Sequence, residues 1–271
     1  MAGVERAQRI GAECIQFFVG SPRTWMAPAV DGQLALRFRE AVATAGLRPA
    51  IIHTCYLLNL ASADRVLWER SLSSLLNSLA WAEELGAAVV THLGSRGDAS
   101  EEEAEERVAG ALEAALKARF RVRLLVETAA GRKRMGSSFE QLGRLFDRLG
   151  HFESLGLCID TAHLYSTGYD VAKPAGLDDT LAQIERALGL QRLRLVHIND
   201  SLVPLGNGPD RHANAGQGYL GEAGLAVVLQ HPRLRHLPFI TEAPGFDHQG
   251  PDAANLEILR RLANEELART G

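Results

Sequence analysis

The sequence predicts an α/β protein of the TIM (β/α)8-barrel type, folded as a single domain over residues 1–271. Short apolar runs alternate with amphipathic helical patterns along the whole chain. The runs are continuously apolar, as in parallel strands that are covered on both faces. They recur at the spacing of one strand–helix–strand unit. An open doubly wound sheet is the alternative fold, but the chain lacks the glycine-rich phosphate-binding motifs of that class.

The elements can be assigned in chain order. A helix opens the chain, because Val4, Ala7 and Ile10 recur at helical spacing. Gly46 and Gly86 end the next helical patterns, since glycine readily adopts the left-handed conformation that closes a helix. Strands are predicted over residues 14–20, 50–56, 88–94, 123–128, 155–160, 193–199 and 239–243. Further helices are predicted over residues 33–45, 62–85, 100–119, 137–149, 178–188, 221–230 and 252–268.

Composition limits the classes of function. The chain is 46% hydrophobic and can bury a sizeable core, yet no apolar run approaches the ~20 residues of a membrane span. It opens without the apolar core of a signal peptide, and Cys14, Cys55 and Cys158 are scattered, so we expect a reducing, cytoplasmic location. The net charge of −4 argues against broad electrostatic binding of nucleic acid. It is compatible with a local basic patch around a strongly positive metal centre.

A histidine, aspartate or glutamate stands at or near the end of each predicted strand from the second onward. The carboxyl ends of parallel barrel strands lie on one face, so these side chains are expected to converge there. In the D-x-H pair after the strand at 193–199, residues i and i+2 point the same way on extended backbone. The nine candidate ligands are His53, His92, Glu127, Asp160, His163, His197, Asp210, His212 and Glu242.

The donor set indicates the metal. Nine groups are too many for one ion and suit two or three. Imidazoles with carboxylates and no thiolate favour zinc, with manganese or iron as alternatives. Two ions about 3.5–4 Å apart are typical of phosphatases and nucleases.

Each candidate has an ordinary structural alternative. His53 and His92 could be satisfied core histidines, and Asp160 could be the N-cap of a following helical turn. Glu127 and Glu242 are poor core residues, because burying an unpaired carboxylate is costly. The structural alternative must hold for all nine residues at once, which favours the metal site.

Seven motifs carry a resemblance to a known family. The chain resembles the endonuclease IV family of abasic-site (AP) endonucleases, in family order from about residue 14 to the end. The motifs are H-T-C-Y-L-L-N-L at 53–60, T-H-L-G-S at 91–95, L-L-V-E-T-A-A-G at 124–131, C-I-D-T-A-H-L-Y-S-T-G-Y-D at 158–170, V-H-I-N-D-S at 196–201, D-R-H-A-N-A-G-Q-G-Y-L-G at 210–221 and T-E-A-P-G at 241–245.

The resemblance implies a fold, a reaction and a ligand set. It implies a TIM barrel that cleaves the phosphodiester 5′ to abasic sites in duplex DNA, leaving a 3′-hydroxyl and a 5′-deoxyribose phosphate. It also implies three zinc ions, with manganese possible at one site, in a monomeric, nucleoid-associated enzyme. His53, His92 and Glu127 would hold the first ion. Glu127 would bridge to a second ion held by Asp160, His197 and Glu242. His163, Asp210 and His212 would hold the third. The catalytic roles fall on Glu127, Asp160 and Glu242.

DNA contacts are expected on two loops. Arg23 and Tyr56 match the positions at which the family inserts side chains at the lesion, where the abasic nucleotide is flipped out. An ordinary packed aromatic is the alternative for Tyr56. Arg132 and Arg134 follow the Glu127 strand and are candidate phosphate contacts, with a solvated loop as the alternative.

The chain departs from the family at its start. The family opens with a strand before the first helix, whereas this chain begins within that helix and has seven predicted strands. We therefore expect either a start site set too far downstream or a gap in the barrel, which a neighbouring molecule could close. The missing strand carries none of the predicted ligands.

Two other functions fit parts of the pattern. A metal-dependent sugar isomerase or epimerase of a related barrel needs about four ligands and one or two ions, so the additional histidines disfavour it. A non-catalytic abasic-site binder, disabled by the lost first strand, is disfavoured by the retention of the whole ligand set.

Overall fold

Seven parallel strands form the central sheet of the protein, as predicted. The structure is a computed structural model that describes residues 1–25, 28–118 and 120–265. The strands are β1 (Ile15–Phe17), β2 (Ala50–His53), β3 (Ala88–Thr91), β4 (Leu124–Glu127), β5 (Leu155–Asp160), β6 (Leu193–His197), β7 (Asp200–Ser201), β8 (His212–Ala213) and β9 (Phe239–Ile240). The sheet order is β1-β2-β3-β4-β5-β6-β9, and β7 pairs separately with β8 as an antiparallel hairpin.

The helices lie between consecutive strands, which gives the alternating pattern of a TIM barrel. They are α1 (Ala2–Arg9), α2 (Gly32–Thr44), α3 (Arg65–Leu85), α4 (Glu101–Lys117), α5 (Phe139–Leu149), α6 (Thr161–Thr167), α7 (Pro174–Leu188), α8 (Gly221–Gln230) and α9 (Ala253–Asn264), with a short 3₁₀ turn at Leu190–Arg192. In the described part of the chain, no helix is long and apolar enough to span a membrane.

Buried side chains on the two faces of the sheet form separate cores. The barrel interior holds one apolar side chain from each of six strands, and the larger core lies between the sheet and the helices. The interior side chains are Ile51, Val90, Leu125, Cys158, Leu195 and Ile240. Because both faces of each strand are covered, the strands appear in the sequence as continuous apolar runs.

Side-chain caps fix where the helices begin. Asp31 and Asp64 each accept two backbone N–H groups at the starts of α2 and α3. Ser100 and Glu103 form a reciprocal capping box that begins α4. Gly86, with a φ of 66°, ends α3 in the left-handed conformation, as predicted.

Six of the seven predicted strands are longer than the observed ones at their carboxyl ends, and the strand predicted over residues 155–160 matches β5. Leu93, Ile198 and Ala243 lie beyond the ends of β3, β6 and β9 and are nevertheless almost fully buried. Apolar character therefore does not distinguish the last residues of a strand from the buried start of the following loop. Of the predicted helices, residue 119 and residues 266–268 lie outside the described part of the chain.

The prediction missed helix α6, the 3₁₀ turn at Leu190–Arg192 and the β7–β8 hairpin, and it began one helix too late. The helix predicted from residue 178 begins at Pro174, because the fixed φ of proline suits the first helical turn. Helix α6 was not predicted because it follows β5 without a loop. The hairpin of β7 and β8 consists of two-residue strands, too short to give a periodic pattern.

Strands β1 and β9 are the two ends of the sheet, and no ladder pairs them among the described residues. Side chains cross between them instead. The thiol of Cys14 donates to the carbonyl oxygen of Phe239 at 3.3 Å, and the amide of Gln16 donates to the Glu242 carboxylate at 2.6 Å. The predicted count of seven strands is confirmed, and the barrel is nearly closed.

Candidate metal centre

The carboxyl ends of the strands bring the predicted ligands to one place. His53, Glu127, Asp160 and His197 are the last residues of β2, β4, β5 and β6. His92 and Glu242 follow β3 and β9, and His163 lies in the first turn of α6. Five of the nine are at most 3% exposed: His53, Glu127, Asp160, His163 and His197.

Glu127 lies at the centre of the cluster. Its Oε2 is 3.1 Å from His53 Nε2 and 3.3 Å from His92 Nε2. Its Oε1 is 3.0 Å from His197 Nδ1 and 3.4 Å from His163 Nδ1. One fully buried carboxylate therefore contacts four imidazoles, two through each oxygen.

Three groups within this cluster could each hold a metal ion, with ligand atoms within 4.8 Å of one another. Glu127 and Asp160 each belong to two of the groups, so adjacent groups share a carboxylate. The groups are His53 with His92 and Glu127; Glu127 with Asp160, His197 and Glu242; and Asp160 with His163 and His212.

Asp210 lies beside the third group and is half exposed. Its Oδ2 is 3.2 Å from His163 Nε2, and its Oδ1 is 3.1 Å from His212 Nε2. The D-x-H pair therefore does converge on a single point, although only His212 lies in a strand.

The β7–β8 hairpin and a buried carboxylate place Asp210 and His212. Asp200 is 1% exposed and accepts backbone N–H groups from Ser201, Gly218, Leu220 and Gly221. These bonds fasten the segment after β8 to the start of the hairpin. His212 is therefore held at a fixed position relative to Asp200.

Two buried nitrogens indicate that the third group fits a metal ion. His163 Nε2 and His212 Nε2 are inaccessible and make no hydrogen bond of acceptable geometry within the described structure. A buried polar atom without a partner is costly, and a metal ion would satisfy both nitrogens. The nitrogens already lie beside the oxygens of Asp210.

Asp160 is the N-cap of α6 and also faces the cluster. Its Oδ1 accepts the backbone N–H of His163 at 2.9 Å, so the N-cap interpretation is correct. Its Oδ2 lies 3.9 Å from His197 Nδ1 and 3.7 Å from His212 Nε2. The cap uses one oxygen and leaves the other facing the imidazoles.

Burial and the neighbouring charges shift the pKa values of the side chains in the cluster. Burial opposes ionisation of Glu127, but His92 and His197 and the hydrogen bonds from His163 and His197 outweigh it, so the pKa of Glu127 lies well below its usual value. Burial lowers the pKa of His92 to about 4. Burial also disfavours the charged form of His212, but Asp160 and Asp210 outweigh it and raise the pKa of His212 to about 9.

The pKa of His212 predicts how pH affects the protein with and without metal. A raised pKa stabilises the metal-free fold below the unfolded pKa of about 6.5, and this contribution is lost as pH rises to about 9. A zinc ion held by the third group would have to displace the same proton, so its binding would strengthen over that range. We expect the melting temperature of chelator-treated protein to fall from pH 6.5 to 9 and the increment from added zinc to grow.

Differential scanning fluorimetry of wild-type protein and His212→Asn measures this effect. The variant should show a shallower slope, because one titrating imidazole is gone, while His53, His163 and His197, whose pKa values are also raised, against the effect of burial, by the neighbouring carboxylates, continue to contribute. A wild-type slope that the variant reproduces would assign the effect to other groups.

Three polar residues that the sequence interpretation missed support the ligands. Asn199 is fully buried, donates to Asp160 Oδ2 at 2.6 Å and accepts the backbone N–H of Glu242 at 2.7 Å. Thr128 accepts the backbone N–H of Asp160. Gln16 contacts both Glu242 and His197. Gln16 had a detectable signal, because it is a polar residue within the apolar run C-I-Q-F-F.

Arg23 and Tyr56 lie on adjoining loops near the cluster. The backbone N–H of Tyr56 donates to the carbonyl of Pro22 at 2.9 Å, which joins the two loops. The Tyr56 ring is 60% exposed, and its centroid lies 6.3 Å from that of His53. The packed-core alternative for Tyr56 therefore does not hold. Arg23 is exposed.

Arg132 and Arg134 lie on an exposed loop that is paired to the loop after β3. Backbone bonds join Arg96 to Lys133 and Met135 to Gly94, and Ser95 and Arg134 form an antiparallel bridge. The loop is therefore held at the carboxyl end of the sheet with both guanidinium groups in solvent.

Comparison with known proteins agrees with this geometry. The family model described as xylose isomerase-like TIM barrel matches residues 4–264. A probable endonuclease 4 of Methanoculleus marisnigri is 39% identical over 264 residues, 96% of this chain and 93% of the relative. A probable endonuclease 4 of Chloroflexus aurantiacus is 35% identical over 261 residues, 95% of this chain and 92% of the relative.

Solved structures also resemble the chain over nearly its whole length. The crystal structure of endonuclease IV from Thermus thermophilus has a TM-score of 0.82 at 39% identity, covering 96% of this chain and 93% of that chain. A D-tagatose 3-epimerase-like protein has a TM-score of 0.69 at 16% identity, covering 95% and 92%, and shares the fold alone. On its sequence, its fold and its relatives, the chain belongs to the endonuclease IV family of TIM-barrel nucleases.

Proposed function

We propose that the chain is a zinc-dependent endonuclease of base-excision repair that hydrolyses the phosphodiester 5′ to an abasic site in duplex DNA. The products would be a 3′-hydroxyl and a 5′-deoxyribose phosphate. The observation that carries the proposal is the convergence of imidazoles and carboxylates in three adjoining groups, in a member of the endonuclease IV family.

The donor set supports zinc as the metal. It combines five imidazoles with four carboxylates, which suits zinc, with manganese as the alternative at one site. Cys158 lies beside the cluster, but burial raises the pKa of its thiol to about 12, so it does not compete as a thiolate. We assign one ion to each of the three groups and add Asp210 to the third.

Bound zinc would supply a water of lowered pKa and would neutralise charge on a phosphodiester. The side chains of the protein determine how the three groups adjoin. Glu127 is shared between the first two groups and Asp160 between the second and third. Asp210 and His212 reach the third group from the segment that enters β8. His212 faces Oδ2 of Asp160, whereas the N-cap uses Oδ1.

Four exposed side chains are proposed to contact the DNA. Tyr56 and Arg23 lie on adjoining loops beside His53, where they can occupy the space left by a flipped nucleotide. Arg132 and Arg134 are proposed to contact backbone phosphates. We further propose that residues 1–271 act as a single domain, as a monomer, and in the cytoplasm in association with the nucleoid.

A duplex with one tetrahydrofuran abasic analogue tests the proposal. We expect a single incision 5′ to the analogue, no incision of the undamaged duplex, and loss of activity with a chelator that added zinc restores. Absence of incision both with and without zinc would overturn the proposed activity. Tight binding of the analogue without cleavage would instead support a non-catalytic binder.

Removing the two exposed arginines is expected to weaken DNA binding without preference for sequence. In Arg132→Ser with Arg134→Ser, the slope of log binding constant against log salt should fall by about 2, since each phosphate contact contributes about 1. The metal content should not change. The matched control is Arg37→Ser with Arg39→Ser on α2, where both side chains are exposed away from the strand ends. Equal slopes for the two double variants would assign the DNA interface elsewhere.

A further inference from the structure

Strand β1 has no carboxylate or imidazole, and it contributes Gln16 to the metal centre instead. Gln16 is half-buried and reaches two members of the group formed by Glu127, Asp160, His197 and Glu242. Its Nε2 lies 2.6 Å from Glu242 Oε1, and its Oε1 lies 2.9 Å from His197 Nε2. One amide thus contacts two candidate ligands of a single ion.

The chemistry of the three side chains fixes which end of the amide faces each partner. An ionised carboxylate only accepts, so the amide end that faces Glu242 must be the NH2 group. The amide oxygen then faces His197 and accepts a hydrogen bond from the Nε2–H group. A neutral imidazole with its proton on Nε2 has its lone pair on Nδ1.

His197 Nδ1 is the nitrogen that faces the other ligands of the group. It lies 3.0 Å from Glu127 Oε1 and 3.4 Å from Glu242 Oε2. The amide holds Oε1 of Glu242, which leaves Oε2 directed at the same point. Gln16 therefore leaves free the two ligand atoms that an ion in this group would use.

A second contact fixes the same ligand from the other side. Asn199 accepts the backbone N–H of Glu242 at 2.7 Å, which holds the chain after β9. Gln16 holds the carboxylate at the end of the side chain. The two contacts differ in their consequences, because only Gln16 also determines which nitrogen of His197 carries the proton.

We propose that Gln16 is a positioning residue of the metal centre, which selects the His197 tautomer and the Glu242 orientation required by the ion of that group. The inference rests on the proposed function only in that the group holds zinc. Partners that orient metal ligands in this way are worth about 10- to 100-fold in metal affinity.

Zinc titration of chelator-treated protein, against a competing chromophoric chelator and without DNA, tests the proposal. In Gln16→Met, which keeps the length of the side chain and removes its polar atoms, one of the three ions should bind about 10- to 100-fold more weakly. The other two should bind as in the wild-type protein. Cobalt substituted for zinc should show an altered visible absorption spectrum for that one ion.

Two variants complete the design. Gln16→Glu retains the acceptor for His197 and places a second carboxylate beside Glu242, so the same ion should be weakened. It also provides the test if Gln16→Met fails to fold. The matched control is Gln33→Met, because Gln33 is exposed at the start of α2 and should leave all three affinities unchanged.

The measured zinc affinities distinguish a positioning role for Gln16 from a structural one. Wild-type affinities for all ions in both Gln16 variants would overturn the proposal. So would a uniform weakening of all ions together with a lower melting temperature of the metal-free protein, since that is the signature of a role in holding β1 to β9. A wild-type protein that binds zinc but does not incise DNA would refute the proposed nuclease and leave the role of Gln16 standing.

Discussion

Replacing Glu127 with glutamine is expected to lower the incision rate by at least 10³-fold, or about 4 kcal/mol in activation free energy. Glu127 is the carboxylate shared by the first two groups, and each of its oxygens faces two imidazoles. The amide has the same shape, but it has no charge and only one oxygen, so it cannot serve as a ligand in both groups as the carboxylate can. Zinc content should therefore fall from three ions towards one, because two of the three groups lose a ligand.

Incision kinetics and elemental analysis of the purified variant measure these two effects. Glu153→Gln is the matched control, since Glu153 is exposed on the loop before β5. Circular dichroism establishes that both variants are folded. A Glu127→Gln protein that retained three ions and most of its activity would contradict the shared-carboxylate arrangement.

Replacing Asp210 with alanine is expected to remove one ion selectively and to reduce incision by about 10²-fold or more. Asp210 lies beside His163 and His212, and neither of the other two groups contains it. Its side chain is half exposed, so the substitution should not disturb the core. We expect the variant to retain two zinc ions and to lose the third.

The selectivity of the loss is the informative result. Asp178→Ala on α7 is the control, because this exposed aspartate contacts His231 and belongs to none of the three groups. Loss of all zinc together in Asp210→Ala would show that the three groups do not bind independently. Retention of all three ions would remove Asp210 from the ligand set.

The position of the nine predicted ligand residues explains why the sequence could reveal them. The predicted ligands are visible because a histidine or a carboxylate interrupts an apolar run, as at His53, Glu127 and His197, which are the last residues of their strands. The structure brings all nine predicted ligand residues to one face. Their individual roles stay predictions until the metal is measured.

The residues that orient the ligands were not predictable in the same way. Gln16 and Asn199 are uncharged and lie in or beside apolar strands, so the sequence offers at most a polar residue in an apolar run, with no indication of its partner. Their role depends on contacts with residues more than forty positions away, such as Glu242. The β7–β8 hairpin was missed for a related reason, since Asp200 organises it through backbone groups of a distant segment.

The sequence by itself determined the barrel class, the seven parallel strands and the residue types at their ends, because burial on both faces and the period of the helices leave a local pattern. The family resemblance already implied the grouping of these residues and the shared position of Glu127. The tertiary structure alone decided that Asp160 also belongs to two groups and that Gln16 contacts His197 and Glu242. Those properties depend on distances and directions between strands that are far apart in the chain, and the chain fixes them only when the sheet curves and brings its strand ends together.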